Sequence, residues 1–438
     1  MTGATRKNLS LIVVVFCLFL FRLAFGLSSE FWFEDERQVY LIGLKHFTTH
    51  AWPYFGPDVT NQIQIPGALQ GLLISIPLFI LRIPEAPFIL LNLLSFLSLC
   101  LLAWYCTKRL PEVPACFIWI WLMTAPWTLN FSTHVVNPSY VLPGAILFFI
   151  AFLETCPYTS KQLISNRLAN FMMGLSLFWV MQLHLSWTIL VPYISASFFF
   201  QYRSSRENFI RSFGWFALGA LLTGSLLIPT FFKFGLQAGL GGTGTVAVMN
   251  IGNVAKVLNP VEGILGRFLS FASFELPRFI GDNSARRWEF VEQHLWLSPV
   301  ILFLVIVGIV QPIAMVILWF SKKSQEDWRA IKYLTLSTVL LLCVSFLFSM
   351  KAPASHTFYL TLPIAMIYSF YCWTSFLKKP RWQIFVGVVL TCGIVFHIVL
   401  AVDHFKRVSL YVDRGIPATA IEKRDYRILG DRRSGVRY

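Results

Sequence analysis

The sequence predicts an all-α polytopic membrane protein, a bundle of about ten to twelve transmembrane helices. Three observations carry that expectation. The 438 residues are 56% hydrophobic and only 13% charged, about half the charge that coats a soluble globular domain. Aromatic residues make up 16%, with 42 Phe, a content suited to lipid-facing helices and interfacial belts. Apolar stretches near the length that crosses a bilayer as a helix recur along the chain. They occupy 9–27, 67–83, 86–106, 114–129, 138–154, 168–200, 212–232, 296–320, 334–350, 356–376 and 383–401. No water satisfies backbone groups in hydrocarbon, so these stretches are helical. A soluble enzyme, a disordered chain and a secreted disulfide scaffold are excluded.

Taken in order, the first stretch is a retained anchor, because Ser28-Ser29-Glu30-Phe31 is a poor cleavage site. Arg6 and Lys7 place the N-terminus in the cytoplasm, and the basic segments 203–211, 322–332 and 378–381 belong on the same side. The segments 28–66, 233–295 and 351–355 then lie outside. Segment 28–66 is rich in Trp, Tyr and Phe among polar residues, which suits short helices at the membrane surface. The stretch 168–200 is too long for one pass and is interrupted by Gln182, His184 and Pro192, which suits two short helices. Depending on that count, Lys108-Arg109 falls on either side. Residues 1–401 form one transmembrane unit with external loops 28–66 and 233–295, followed by a basic polar tail, 402–438. The net charge of +15 is spread between apolar stretches, so it marks loop orientation; no nucleic-acid partner is expected. The eight Cys show neither paired nor metal-ligand spacing and read as small core hydrophobes.

The strongest chemical signal is Phe33-Glu34-Asp35-Glu36-Arg37, just beyond the first span. A carboxylate at the bilayer centre costs about 2.5–3.5 kcal/mol on insertion scales. These acids therefore sit at or above the surface, where one can take a proton from an attacking hydroxyl or simply mark topology. After them come Tyr40, then Ala51-Trp52-Pro53-Tyr54-Phe55-Gly56-Pro57, then Gln62-Ile63-Gln64-Ile65-Pro66-Gly67 opening the second stretch.

Asp35, Glu36, Tyr40 and Pro66 in this order resemble the GT-C glycosyltransferases, in particular the branch of aminoarabinose transferases and protein O-mannosyltransferases. The resemblance covers the first 110 residues. It implies a polyprenyl-phosphate sugar donor, an acceptor hydroxyl on the external face and inverting transfer, with Asp35 as base and Glu36 as its support. Relatives carry a Lys and paired Pro where this chain reads Gln64-Ile65-Pro66, so a phosphate contact from that lysine is not carried over. A divalent metal near Asp35 is left open by an acidic run of this kind, and no other cofactor is expected.

A second cluster is Lys351-Ala352-Pro353-Ala354-Ser355-His356-Thr357-Phe358-Tyr359. Lys351 and His356 suit a lipid phosphate, with Tyr359 alongside, because a cation there stabilises a phosphate leaving group. A snorkelling Lys and a capping Ser read equally well. His134 and Asn137 lie in a short turn before Pro138 and are candidates for sugar contact. Arg278 stands for the external arginines 267, 278, 286 and 287, whose forks suit phosphate. The run 239–244 fits G-x-G-x-x-G without the strand–helix context of a dinucleotide site. The acceptor is a lipid, a glycan or a protein. Short connecting loops point to a bacterial inner membrane. Two other classes fit the layout: a lipid or solute transporter, and an envelope assembly protein. Spans nearly free of charge weigh against a proton-coupled transporter.

Overall fold

In a computed structural model, residues 3–29, 34–60, 63–157, 159–235, 250–281, 283–321, 327–349, 353–407 and 410–430 are described. Lys351 and the glycine run 239–244 lie outside the described residues, as does the side chain of Glu34. The chain is helical almost throughout, as expected.

The first pass is α1 (Gly3–Ser29). The next helix, α2 (Glu34–Thr49), starts on the acidic run, and carboxylates in a first turn are favoured by the helix dipole. An antiparallel hairpin follows, β1 (Phe55–Thr60) with β2 (Ile63–Pro66). Then comes α3 (Leu69–Ile80). The sequence reading gave 67–83 as a span, and the structure corrects it. A helix of 12 residues is about 18 Å long, too short for a hydrocarbon core of about 30 Å. It lies beside α2, with Phe47 against Phe79 at 5.1 Å and Gly43 under Ile74.

The second pass is therefore α4 (Ala86–Arg109). A single side chain proves its direction. Arg414 donates from Nη2 to the Leu27 carbonyl at 2.8 Å and pairs through Nη1 with Glu85 at 3.3 Å. The end of α1 and the start of α4 are thus on one side, and Lys108-Arg109 emerge with the N-terminus.

The third pass is broken into α5 (Ala115–Thr124) and α6 (Pro126–Thr133). Pro126 has no N–H to donate, so carbonyls near the break are orphaned. Inside the membrane each needs a partner. Thr128 Oγ1 donates to the Leu122 and Ala125 carbonyls at 2.7 and 2.9 Å. Arg22, fully buried in α1, donates to Met123 O at 2.8 Å, Thr128 O at 3.3 Å and Ser132 Oγ at 2.6 Å. A charge inside a span is here a plug for a helix break.

Next come α7 (Val141–Thr155), α8 (Asn166–Met181), α9 (Leu190–Ser204) and α10 (Arg206–Gly224). Ser165 and Ser205 cap α8 and α10 by accepting from Leu168 and Asn208 N–H. The stretch 168–200 is indeed two helices, broken at 182–189. Helices α8 and α10 touch backbone to backbone. A Cβ built on Gly174 would fall 2.0 Å from Phe216 O, and one on Gly219 2.0 Å from Phe171 O. Small residues permit that approach, as is common between membrane helices.

After α11 (Ile228–Phe234), the external segment holds α12 (Val254–Leu258), α13 (Ile264–Ser270), α14 (Leu276–Ile280) and α15 (Ser284–Gln293). The last passes are α16 (Ser298–Trp319), α17 (Trp328–Leu347), α18 (Leu362–Leu377, entered by a 3-10 turn at Ser355–Thr361) and α19 (Pro380–Arg407). Then α20 (Leu410–Glu422) folds back on the first external loop. Seven described helical segments are long and apolar enough to cross a membrane. If the broken α5–α6 pass and the shorter α7, α8 and α9 are counted with them, the described helices amount to eleven passes, within the expected range.

Candidate functional site at the external end

The external ends of α1, α4, α6, α8, α17 and α18 converge, and the sequence-nominated residues are spread over them. Asp35 is exposed in the first turn of α2. Among the described residues none forms an ion pair or hydrogen bond with its carboxylate. Glu36 beside it is half-buried and partnered. Tyr40 is fully buried, stacks on Phe88 at 6.3 Å and donates its hydroxyl to the Pro84 carbonyl at 3.1 Å. The structure gives it the task of holding α2 against the turn into α4.

His134 follows the end of α6. Its Nδ1 faces the Asn130 carbonyl at 2.5 Å, so that nitrogen carries the proton, and Nε2 lies 2.9 Å from the Ser29 hydroxyl. Burial lowers its pKa to about 4, with the Arg414 charge adding to the effect. Helices α1 and α6 are tied there. Asn137, three residues on, precedes a cis proline bond. Its Oδ1 is buried with no hydrogen-bond partner among the described residues, a state that costs about 1–3 kcal/mol until something donates to it.

His356 is exposed in the 3-10 turn before α18. It meets His184 at the break between α8 and α9. Burial lowers the His184 pKa to about 4, and the His356 charge lowers it further. At the same break Gln182 donates to the Thr223 carbonyl at 2.9 Å and lies under Gly67. Gly67 has φ +123°, and a Cβ on it would fall 2.4 Å from Gln182 Cγ, so both backbone and space require glycine. Tyr359 is fully buried and donates to the Trp127 carbonyl at 3.3 Å.

Trp127, at the start of α6, is the hub of an aromatic cluster with Phe131, Phe271 and Phe279 at 5.0–5.2 Å. Its indole N–H donates to Glu275 at 3.1 Å, and the Arg278 guanidinium lies over its ring at 5.2 Å. Arg278 also pairs with Glu275 at 3.3 Å. Burial, then the neighbouring Arg278, holds the Arg267 guanidinium below its usual range. Glu275 and Glu262 partly offset that effect on Arg267. Helix α6, of 8 residues, is only about 12 Å long. Arg278 at its start and His134 at its end thus belong to one face of the protein.

Neither a protein-family model nor a curated protein matches this chain by sequence. A solved structure does match by shape. The crystal structure of ArnT from Cupriavidus metallidurans, bound to undecaprenyl phosphate, aligns over 98% of this chain and 77% of that one, at 12% identity and a TM-score of 0.52. The chain shares the fold of ArnT. The helical multi-pass architecture expected from the sequence is therefore the architecture found, on a membrane-embedded chain.

Sequence reasoning missed Arg22 and Arg414. Arg22 hides in an apolar run, and Arg414 in a tail without periodicity. For a metal the fit is poor: among the described residues no three His, Cys, Asp or Glu side chains converge.

Proposed function

We propose that this chain is an integral membrane glycosyltransferase. It moves a sugar from a polyprenyl-phosphate carrier to an acceptor hydroxyl on the external side, in the inner membrane of a bacterium. The observation that carries this reading is Asp35: a carboxylate exposed at the external end of the first pass and unpaired among the described residues, on a fold shared with a protein solved bound to undecaprenyl phosphate. A carrier of that kind keeps its chain in the bilayer, so the acceptor comes to the membrane.

In the proposed reaction, the acceptor oxygen attacks the anomeric carbon from the face opposite the phosphate. The new glycosidic C–O bond forms as the bond to the phosphate oxygen breaks. The acceptor proton passes to Asp35, and the configuration inverts. The departing polyprenyl phosphate keeps the bonding electron pair. Charge therefore grows on the phosphate, and cations matter there. Arg267, Arg278 and His356 are assigned that role among the described residues, and Lys351 is assigned the same role from sequence. Glu36 supports the start of α2. The unmet Asn137 amide oxygen suits a sugar hydroxyl, and His134, held neutral, fixes the turn that presents it.

The test is purified protein in liposomes, given radiolabelled polyprenyl-phosphate sugars and an acceptor extract. Transfer by the native chain and its loss in Asp35→Asn, with unchanged insertion, supports the reading. Equal turnover by the variant removes Asp35 from the mechanism. Solute uptake without transfer favours a transporter.

A further inference from the structure

The second external loop has an edge that the proposed reaction does not use. Residues 250–265 run along the external ends of the last passes and are hydrogen-bonded to one of them. Asn253 Nδ2 donates to the Phe346 and Ser349 carbonyls at 3.0 and 2.7 Å, and the Asn250 N–H donates to Leu347 O at 2.7 Å. These carbonyls belong to the last turn of α17 and the residues just after it. A helix ends with carbonyls that have no partner inside it, and two asparagines from the loop serve them.

That contact fixes depth. Helix α17 has 20 residues, about 30 Å of helix, which is the thickness of the hydrocarbon core. Its cytoplasmic end is pinned by Asp327, whose carboxylate is paired with Arg109. Its external end therefore lies where acyl chains meet headgroups, and so does whatever is bonded to it.

At that depth the segment is two-faced. Asn253, Val257, Ile264 and Phe268 point inward and are at most 3% exposed, whereas Ile251, Leu258, Val261 and Leu265 point outward and are 43–76% exposed. Large aliphatic side chains on the polar end of a protein need a partner. Lys256 stands among them, exposed, as on helices that lie in a lipid surface. Exposed Leu295 and Trp296 at the start of α16 extend the same apolar rim at the same level.

We infer that residues 250–265 form a lip that dips into the external leaflet, with Ile251, Leu258, Val261 and Leu265 among the upper acyl chains and Lys256 at the phosphate level. The occupant of this face is phospholipid. This part of the second external loop is thus seated in the membrane instead of standing in water.

The test uses the full chain in phosphatidylglycerol/phosphatidylethanolamine liposomes containing a phospholipid with a diazirine on its upper acyl chain. After photolysis, adducts are mapped by peptide mass spectrometry. In a parallel sample, hydroxyl radicals report the side chains that meet water. Carbene adducts on Leu258 and Val261, with little radical oxidation, are the expected result. The double variant Leu258→Asp/Val261→Asp should lower adducts on 250–265 by about tenfold or more, since each apolar side chain contributes about 1.5–3 kcal/mol of transfer energy. Adducts on α16 and α17 should persist. Radical oxidation of these residues at the level of a free surface, without carbene adducts, overturns the inference. Protection from both reagents overturns it too, because protein then covers the face.

Discussion

The two ends of the bundle use the same side chains to opposite effect. At the cytoplasmic end Arg109 is bidentate, to Glu154 and to Asp327, and all three side chains are at most 8% exposed. The remaining carboxylate oxygens are spoken for as well. Glu154 accepts from the Leu163 and Ile164 N–H groups at 2.6 and 2.8 Å, and Asp327 from Ser160 N–H at 2.7 Å. Those bonds hold residues 160–164 against the cytoplasmic end of the bundle. Among the described residues at the external end, Asp35 is exposed and unpaired, Arg267 lies close to the like charge of Arg278, and the Asn137 oxygen is unmet. Charge consumed inside the fold stabilises it. Charge left open is free to meet a ligand. A small hollow beside Arg109, lined by Tyr105, Asp327 and Tyr371 together with Leu153, Ile331 and Ile367, belongs to the first kind.

Mutation can break this contrast. The largest effect is expected at Asp35. Asp35→Asn should cost about 10²–10⁴-fold in sugar transfer, the usual worth of a general base, while the melting temperature in detergent stays the same. A variant that unfolds would show Asp35 to be structural. Arg109→Ala should do the reverse. Leaving two carboxylates buried without their cation costs about 3–5 kcal/mol, read as loss of monodisperse protein on size-exclusion chromatography. If Arg109→Ala is as stable as the native chain, the cytoplasmic lock is not one.

The histidine at the external end sharpens the contrast by pH. His134 titrates near 4 in the fold and near 6.5 when unfolded. The unfolded chain therefore takes up the proton first. Stability is full above about pH 6.5 and falls by about 1.4 kcal/mol per unit as pH drops towards 4. His134→Gln should flatten part of that slope in a thermal-shift series, and an unchanged slope would assign it elsewhere. The smallest effect belongs to the tail. Lys45 lies over the Tyr426 ring at 5.2 Å, and Tyr426→Ala should lower stability by about 0.5–1 kcal/mol. A larger loss would mean that the tail carries more of the first loop than this contact.

The fold was legible where the signal is an apolar run. Most passes were found that way, and the polar interruption at 182–184 marked a real break. Segment 67–83 misled because a short surface helix buried against α2 is as apolar as a span; only its length, 12 residues, tells them apart. Asp35 stood out as a candidate because three acids beyond a span are conspicuous, and its exposure in the first turn of α2 keeps it one. The rest of the site was not legible, since its contacts join distant parts of the chain. His184 meets His356, and Arg414 reaches partners 329 and 387 residues away. Tyr40 and Tyr359 stood out by residue type, and only the structure gives their hydroxyls to backbone carbonyls.

The reach of Arg414 has a consequence in time. The ribosome delivers α1, α2 and α4 early, yet the guanidinium that ties the base of their external loop is made some 330 residues after Glu85. While the chain is still being threaded into the bilayer, the end of α1 and the start of α4 lack this tie. It forms only when the last external segment has been carried across, so the bond from Arg414 waits on the completion of insertion.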